Sequence, residues 1–329
     1  MGASDDKMSA EDRLIADFFK PLATHPGALG LTDDAAFLTP APGTDVVLTA
    51  DAIIGGVHFF PDDDARDVAR KALRVNLSDL AAKGAAPLGF LVSLALPQDI
   101  GADWLKRFAL GLREDAEAYA CPLFGGDTVR TPGPVMVAVT MFGSVPSGKM
   151  VRRAGARPGH RIFVTGTIGD AALGLVLRKG ATWTLDAARR DHLLSRYLTP
   201  QPRNALAEAV RAYASTAMDV SDGLAGDLTK LCRMSGVAAT IDVASVPLSD
   251  AVRAAVAIDP AMRETALTGG DDFEVLLTVP EPGAAAFRAA ANAAQVPVAD
   301  IGVIEAGEGA HFMEAGRELA FKRLSFSHF

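Results

Sequence analysis

The stretch Met218-Asp219-Val220-Ser221-Asp222-Gly223 organises the chain. An apolar, β-like run from Ser215 to Met218 leads into two aspartates three residues apart, with a serine between them. Glycine follows, then a helical pattern from Leu224 to about Arg233. Two carboxylates and a hydroxyl therefore sit where a strand turns into a helix. One reading is capping, in which Ser221 or Asp222 accepts the free N–H groups of the helix's first turn. The rest of the chain favours another. An apolar run that meets aspartate recurs at Thr49-Ala50-Asp51, at Gly125-Gly126-Asp127 and at Gly269-Gly270-Asp271-Asp272, and Asp33-Asp34 adds a pair near the start. One acidic turn is ordinary; five suggest a shared cation site.

The 329 residues allow two domains, and 49% hydrophobic content supports a sizeable core. A net charge of −8 argues against a general nucleic-acid binder. An acidic chain that handles phosphates must screen them with bound cations or local Arg and Lys. Cys121 and Cys232 lie in apolar or helical contexts without paired spacing, and read as buried free thiols of a reducing compartment. The longest apolar stretch, Leu88–Leu96, is strand-sized, too short to span a membrane. The acidic N-terminus lacks a signal-peptide core, and Asp6 breaks the myristoylation pattern, so a cytoplasmic location is expected.

Taken in order, Glu11–Phe19 reads as a short helix. Asp45–Leu48 and Ala52–Phe60 read as β segments with Asp51 between them and His58 near the end. The periodicity predicts a helix over Ala65–Lys83, closed by Gly84 and Pro87. Asn76 and Asp79 fall inside its apolar face. A buried unpaired carboxylate is costly, so either that face meets a polar partner or Asp79 is a ligand. A strand is expected at Leu88–Leu96, a helix at Asp103–Tyr119, and strands at Leu123–Thr128 and Val135–Phe142. The glycines before Asp127 let a ligand approach the backbone closely.

Gly143-Ser144-Val145-Pro146-Ser147-Gly148-Lys149-Met150 imitates a P-loop, but Met150 replaces the Mg²⁺-binding hydroxyl and a loop, not a helix, follows. The loop's Lys149, Arg152, Arg153 and Arg157 form the densest positive cluster, a solvated surface or a phosphate clamp. The domain boundary is expected here, giving 1–148 and 149–329. Beyond it come a strand at Arg161–Val164, a helix at Ala171–Leu177 after the glycine-rich turn Gly166–Asp170, and a helix at Pro202–Tyr213. Strands at Ala238–Asp242, Val275–Val279 and Val298–Ile304, with a helix at Pro282–Ala294, complete the second half. The glycine-rich turn is the kind that can seat an anion.

Hard oxygen donors at many points, with no Cys/His cluster, describe Mg²⁺ sites rather than zinc. Mg²⁺ keeps waters and is typically completed by substrate phosphates. Short aspartates on turns from both halves suit a nucleotide-phosphate site, where transfer needs charge neutralisation and alignment more than covalent help.

The in-order set Thr32-Asp33-Asp34-Ala35-Ala36, Thr49-Ala50-Asp51, Gly56-Val57-His58-Phe59, Val75-Asn76-Leu77-Ser78-Asp79-Leu80-Ala81, Gly125-Gly126-Asp127-Thr128, Asp219 to Leu224 and Gly269 to Glu274 closely resembles the thiamine-monophosphate kinase family. That family belongs with aminoimidazole ribonucleotide synthetase and selenophosphate synthetase. The resemblance implies two α/β domains of the synthetase type, with an N-terminal ATP/Mg-binding domain whose sheets pair across a homodimer. It implies direct transfer of the ATP γ-phosphate to thiamine monophosphate (TMP), giving thiamine diphosphate. It further implies Mg²⁺ ligation by Asp34, Thr49, Ala50 through its backbone, Asp51, Asp79, Asp127, Asp219 and Asp222. Gly126, Asp127, Arg153 and Ser221 would contact ATP; His58, Asp271 and a tail aromatic, Phe321 or Phe326, would contact TMP. Asp271 stands where the family usually has glutamate, and Ser325-Phe326-Ser327-His328-Phe329 replaces its usual Gly-Tyr-Asp-His-Phe ending. The rival expectations are a superfamily member acting on another small molecule and a non-catalytic scaffold whose acidic turns are caps.

Overall fold

The computed structural model describes residue 9 and residues 13–325. Two compact units are evident: residues 1–76 with 87–147, and residues 77–86 with 148–329. The division falls inside one long helix, so the expected helix over Ala65–Lys83 contributes its first turns to one unit and its end to the other.

The first unit carries a four-stranded sheet in the order β1-β4-β2-β3, where β1 is Thr44–Ile54, β2 Ala86–Leu96, β3 Leu123–Arg130 and β4 Met136–Pro146. Helices α1 (Ala65–Ala82), by its first turns, and α2 (Ala102–Ala118) bury their apolar faces, Ala72 and Leu73 on one, Phe108 and Leu112 on the other. Strand alternation puts Val47 and Ile53 of β1 and Val137, Val139 and Met141 of β4 in the core. The opposite positions are open: Val46, Leu48, Leu91 and Val129 are exposed, Leu48 to 70%.

Three strands run further than local pattern suggests. Asp51 lies inside β1, opposite Val139, and does not separate two strands; the chain turns only after Ile54. Asp127 lies inside β3, opposite Ser93. β4 continues through Gly143-Ser144-Val145-Pro146, which pair with Val47 back to Thr44. The first half of the P-loop imitation is therefore strand. In each case a long partner extends the ladder past an aspartate or a glycine.

The second unit is a seven-stranded mixed sheet, β11-β10-β7-β9-β5-β8-β6, from β5 (Arg161–Thr165), β6 (Thr216–Asp219), β7 (Ala238–Asp242), β8 (Val275–Val279), β9 (Val298–Glu305), β10 (Gly309–Glu314) and β11 (Arg317–Glu318). Around it lie α3 (Asp170–Arg178), α4 (Ala187–Leu198), α5 (Ala207–Tyr213), α6 (Leu224–Ser235), α7 (Asp250–Ile258), α8 (Met262–Thr268) and α9 (Ala284–Ala293). Successive residues feed two separate cores: Ile162, Val164 and Met218 join Leu224 and Leu228 of α6, whereas Phe163, Ala217 and Leu277 join Val210 of α5 and Phe287 of α9. Covered on both faces, these strands read as continuous apolar runs. Helices α4, α7 and α8 and the hairpin β10–β11 fall where no element is expected, because charged residues interrupt α4 and the others are short. Both cysteines are buried, as expected, and burial pushes the thiols up, Cys121 to about 12 and Cys232 to about 11.

Candidate active site

In the second unit β6 ends at Asp219, which is buried (7% exposed). The following turn enters α6 at Gly223, and no side chain caps that helix. The capping reading thus fails: Ser221 and Asp222 have other uses. Ser221 and Val220 accept backbone N–H groups from Asp271 at 2.9 Å and Phe273 at 2.8 Å, while Val220 N–H donates to Glu274 at 2.8 Å. The two motifs that the sequence singled out are thus laced into one platform. Both glycines before Asp271 are required by that lacing: a Cβ at Gly270 would stand 2.3 Å from the Ser221 carbonyl oxygen, and one at Gly269 2.5 Å from Ala172 Cβ.

The platform is strained on both sides of Asp272. Asp271 and Phe273 have φ of +72° and +50°, left-handed conformations that cost roughly 1–2 kcal/mol per non-glycine residue. Such strain persists only where surroundings over-determine it, and it clusters at functional sites. Here the surroundings are ionic. Glu274 is fully buried; its oxygens accept from Arg203 Nε at 2.6 Å, Arg196 Nη2 at 2.6 Å and the Thr165 hydroxyl at 2.6 Å. Asp272 accepts N–H bonds from Gly169 at 2.7 Å and Ala171 at 3.3 Å, at the start of α3. The glycine-rich turn at 166–170, expected to suit an anion, is therefore filled by the chain's own carboxylate. Burial holds Asp272 well above the usual carboxylate range, helped by the charges of Asp170 and Glu274.

Two lysines escaped the sequence reading. Lys83 closes α1 and donates to the Ala217 carbonyl at 2.8 Å. Burial depresses its pKa; Asp219 and Asp79 counter the shift and Arg153 adds to it, which places Lys83 among three residues of the acidic and basic sets. Its i, i+4 spacing from Asp79 is the signal that could have found it. Asp79 itself is half-buried in an otherwise buried stretch of α1, near enough to Lys83 for its charge to raise the lysine's pKa. Lys230, on α6, pairs with Asp222 and with buried Asp227 at 2.9 Å, and the Asp227 carboxylate also accepts the Asp222 N–H at 2.9 Å. Burial raises Asp227 in spite of Lys230.

In the first unit a cavity of about 830 Å³ is lined by Asp33, Asp34, Gly126 and Asp127, with Val46, Leu48, Leu91 and Phe37 as apolar walls. That volume suits a small-molecule ligand. A Cβ at Gly126 would meet the Val92 carbonyl oxygen at 1.8 Å, so this glycine serves β2–β3 pairing and offers a ligand only its backbone. Thr49 and Asp51 share one face of β1, and Ala50 lies on the other. His58 is half-buried, and its Nδ1 accepts the Ile54 N–H at 3.0 Å. A neutral His58 ring then carries its proton on Nε2. Phe321 packs against Phe312 with ring centres 5.2 Å apart; its alternative, Phe326, lies outside the described residues.

Among the described residues, no group of three His, Cys, Asp or Glu side chains forms a ready metal cage. Mg²⁺ does not need one: it takes one or two carboxylates and completes its octahedron with water and phosphate. Oxygen donors in ones and twos fit that mode, and not a structural zinc site.

Residues 32–145 match the AIR synthase related protein N-terminal domain and residues 157–313 its C-terminal domain. The thiamine-monophosphate kinase of Caulobacter vibrioides is 42% identical over 318 residues, 95% of this chain and 89% of the relative. The crystal structure of thiamine-monophosphate kinase from Stenotrophomonas maltophilia K279a superposes with a TM-score of 0.83 at 39% identity, covering 94% of this chain and 98% of that one. AaThiL, complexed with AMPPCP and TMP, superposes at 0.76 with 31% identity, over 90% of this chain and 91% of its own. Both halves of the fold, the acidic turns in order and this breadth of likeness agree: the chain belongs to the thiamine-monophosphate kinase family of AIR synthase related proteins.

Proposed function

We propose that this chain transfers the γ-phosphate of ATP directly to the phosphate of TMP, producing thiamine diphosphate and ADP. The observation that carries the reading is the AaThiL complex, which holds an ATP analogue and TMP on a fold shared over 90% of this chain. Asp34, Thr49, the Ala50 carbonyl, Asp51, Asp79, Asp127, Asp219 and Asp222 would hold Mg²⁺. When bound, Mg²⁺ screens the phosphate oxygens and lowers the repulsion between the two anionic reactants. Gly126 would meet ATP through its backbone, with Asp127, Ser221 and Arg153 as its further ATP-binding partners. His58 would donate Nε2–H to the TMP phosphate, and Asp271 would contact the same substrate from its left-handed turn. Phe321 stands as the tail aromatic for the thiamine ring. The transfer needs no covalent enzyme intermediate, and the residues above only bind, screen and align.

The deciding experiment offers thiamine, TMP and thiamine diphosphate separately with ATP and Mg²⁺, with ³¹P NMR as readout. TMP alone should be consumed, one ADP appearing per thiamine diphosphate. Phosphorylation of a different acceptor, with TMP untouched, would keep the ATP chemistry and overturn the substrate.

The proposal includes a homodimer in a cytoplasmic setting. Val46, Leu48 and Leu91, the apolar walls of the first unit's cavity, continue to exposed Val129 on the same sheet, the kind of patch that a second copy covers, so the cavity would lie beside the seam. Light scattering at micromolar concentration should give about twice 34.2 kDa; a mass of 34.2 kDa would contradict it.

A further inference from the structure

We infer that Asp272 is a positioning residue that sets Asp271 for its substrate, so that the start of α3 helps to determine the affinity for TMP. The inference rests on the functional reading above. Asp272 itself is 5% exposed and both its oxygens are engaged by Gly169 and Ala171 N–H groups. It therefore does not reach a ligand. Its neighbours on either side hold the two left-handed conformations of the platform. A backbone of that kind relaxes when an anchor is removed. On one side the anchor is the turn 219–223, through Ser221 and Val220. On the other side it is α3, whose start Asp272 bonds through the N–H groups of Gly169 and Ala171. Glu274, held by Arg203 and Arg196, fixes where the platform ends but lies past the strained pair. The chemistry follows from geometry. Two acceptor oxygens match two N–H donors from one helix start. An amide at this place offers one acceptor and turns a donor toward an N–H group.

The test compares Asp272→Asn with the wild-type chain under saturating ATP and then under saturating TMP. The KM for TMP should rise about tenfold, with the KM for ATP within about twofold and kcat within about threefold. A fall in melting temperature or in kcat with both KM values unchanged is what a merely structural carboxylate gives, and would overturn the inference. Should Asp272→Asn fail to fold, Asp272→Glu decides. It keeps two acceptor oxygens but is one methylene longer, which displaces the seat on the Gly169 and Ala171 N–H groups. It should raise the TMP KM severalfold without moving the ATP KM, and an unchanged TMP KM in a folded Asp272→Glu would overturn the inference equally. The wild-type control separates the two layers: no TMP turnover there defeats the functional reading, whereas normal wild-type turnover with an unmoved variant KM defeats only the role of Asp272.

Discussion

Asp219→Asn and Asp127→Asn are each expected to reduce turnover more than a hundredfold while the chain stays folded. Both substitutions keep the shape of the side chain and remove its charge. A carboxylate that holds a metal across from a transferring phosphate contributes several kcal/mol to the transition state, and each ~1.36 kcal/mol is a factor of ten in rate. The structure separates the two in stability. Asp127 is exposed and its carboxylate accepts the N–H of Thr128 at 2.9 Å, so its amide should cost within about 0.5 kcal/mol of stability. Asp219 is buried and offsets the charge of Lys83. Its amide leaves that ammonium less compensated, and a modest fall in melting temperature should accompany the drop in rate. Coupled ADP release and circular dichroism read the two effects apart. Near-wild-type turnover in either variant would sink the cation-ligand reading of that aspartate, and unfolding of both would make the carboxylates structural.

Arg153→Ala should lower kcat/KM for ATP about thirtyfold, and Lys149→Ala should stay within about threefold. Removing a bidentate guanidinium–phosphate bond from a screened site costs about 2 kcal/mol, the energy of that factor. Both residues are exposed and four positions apart, so charge alone does not separate them. Their backbones do. The residue before Arg153 is stitched to the site: the Arg152 carbonyl accepts the Ala217 N–H at 3.0 Å, two residues from Asp219, and Val151 N–H donates to the Lys83 carbonyl at 3.2 Å. Lys149 follows Gly148, beyond the end of β4, and no helix starts there to aim it at a phosphate. An exposed lysine without such a frame contributes little. Both variants belong at one fixed salt concentration, because screening shifts the baseline. A larger drop in Lys149→Ala than in Arg153→Ala would exchange their roles.

The sequence by itself determined the acidic positions, the strand-to-helix transition at Asp219 to Leu224, the long helix to Gly84, and the family. These are local facts: an aspartate is an aspartate wherever it folds, and helix ends carry their own chemistry in Gly84 and Pro87. Tertiary structure decided the rest. Asp51, Asp127 and Gly143 stay within strands because pairing partners tens of residues away continue the ladder. Asp271, Asp272 and Glu274 look alike as a string, yet one is strained and half-exposed, one seats on α3, and one is buried under two arginines. The bonds that tell them apart join residues 71 to 109 positions apart. No local propensity encodes a bond at that distance, because the free energy of the pair exists only after the sheet has brought its ends together.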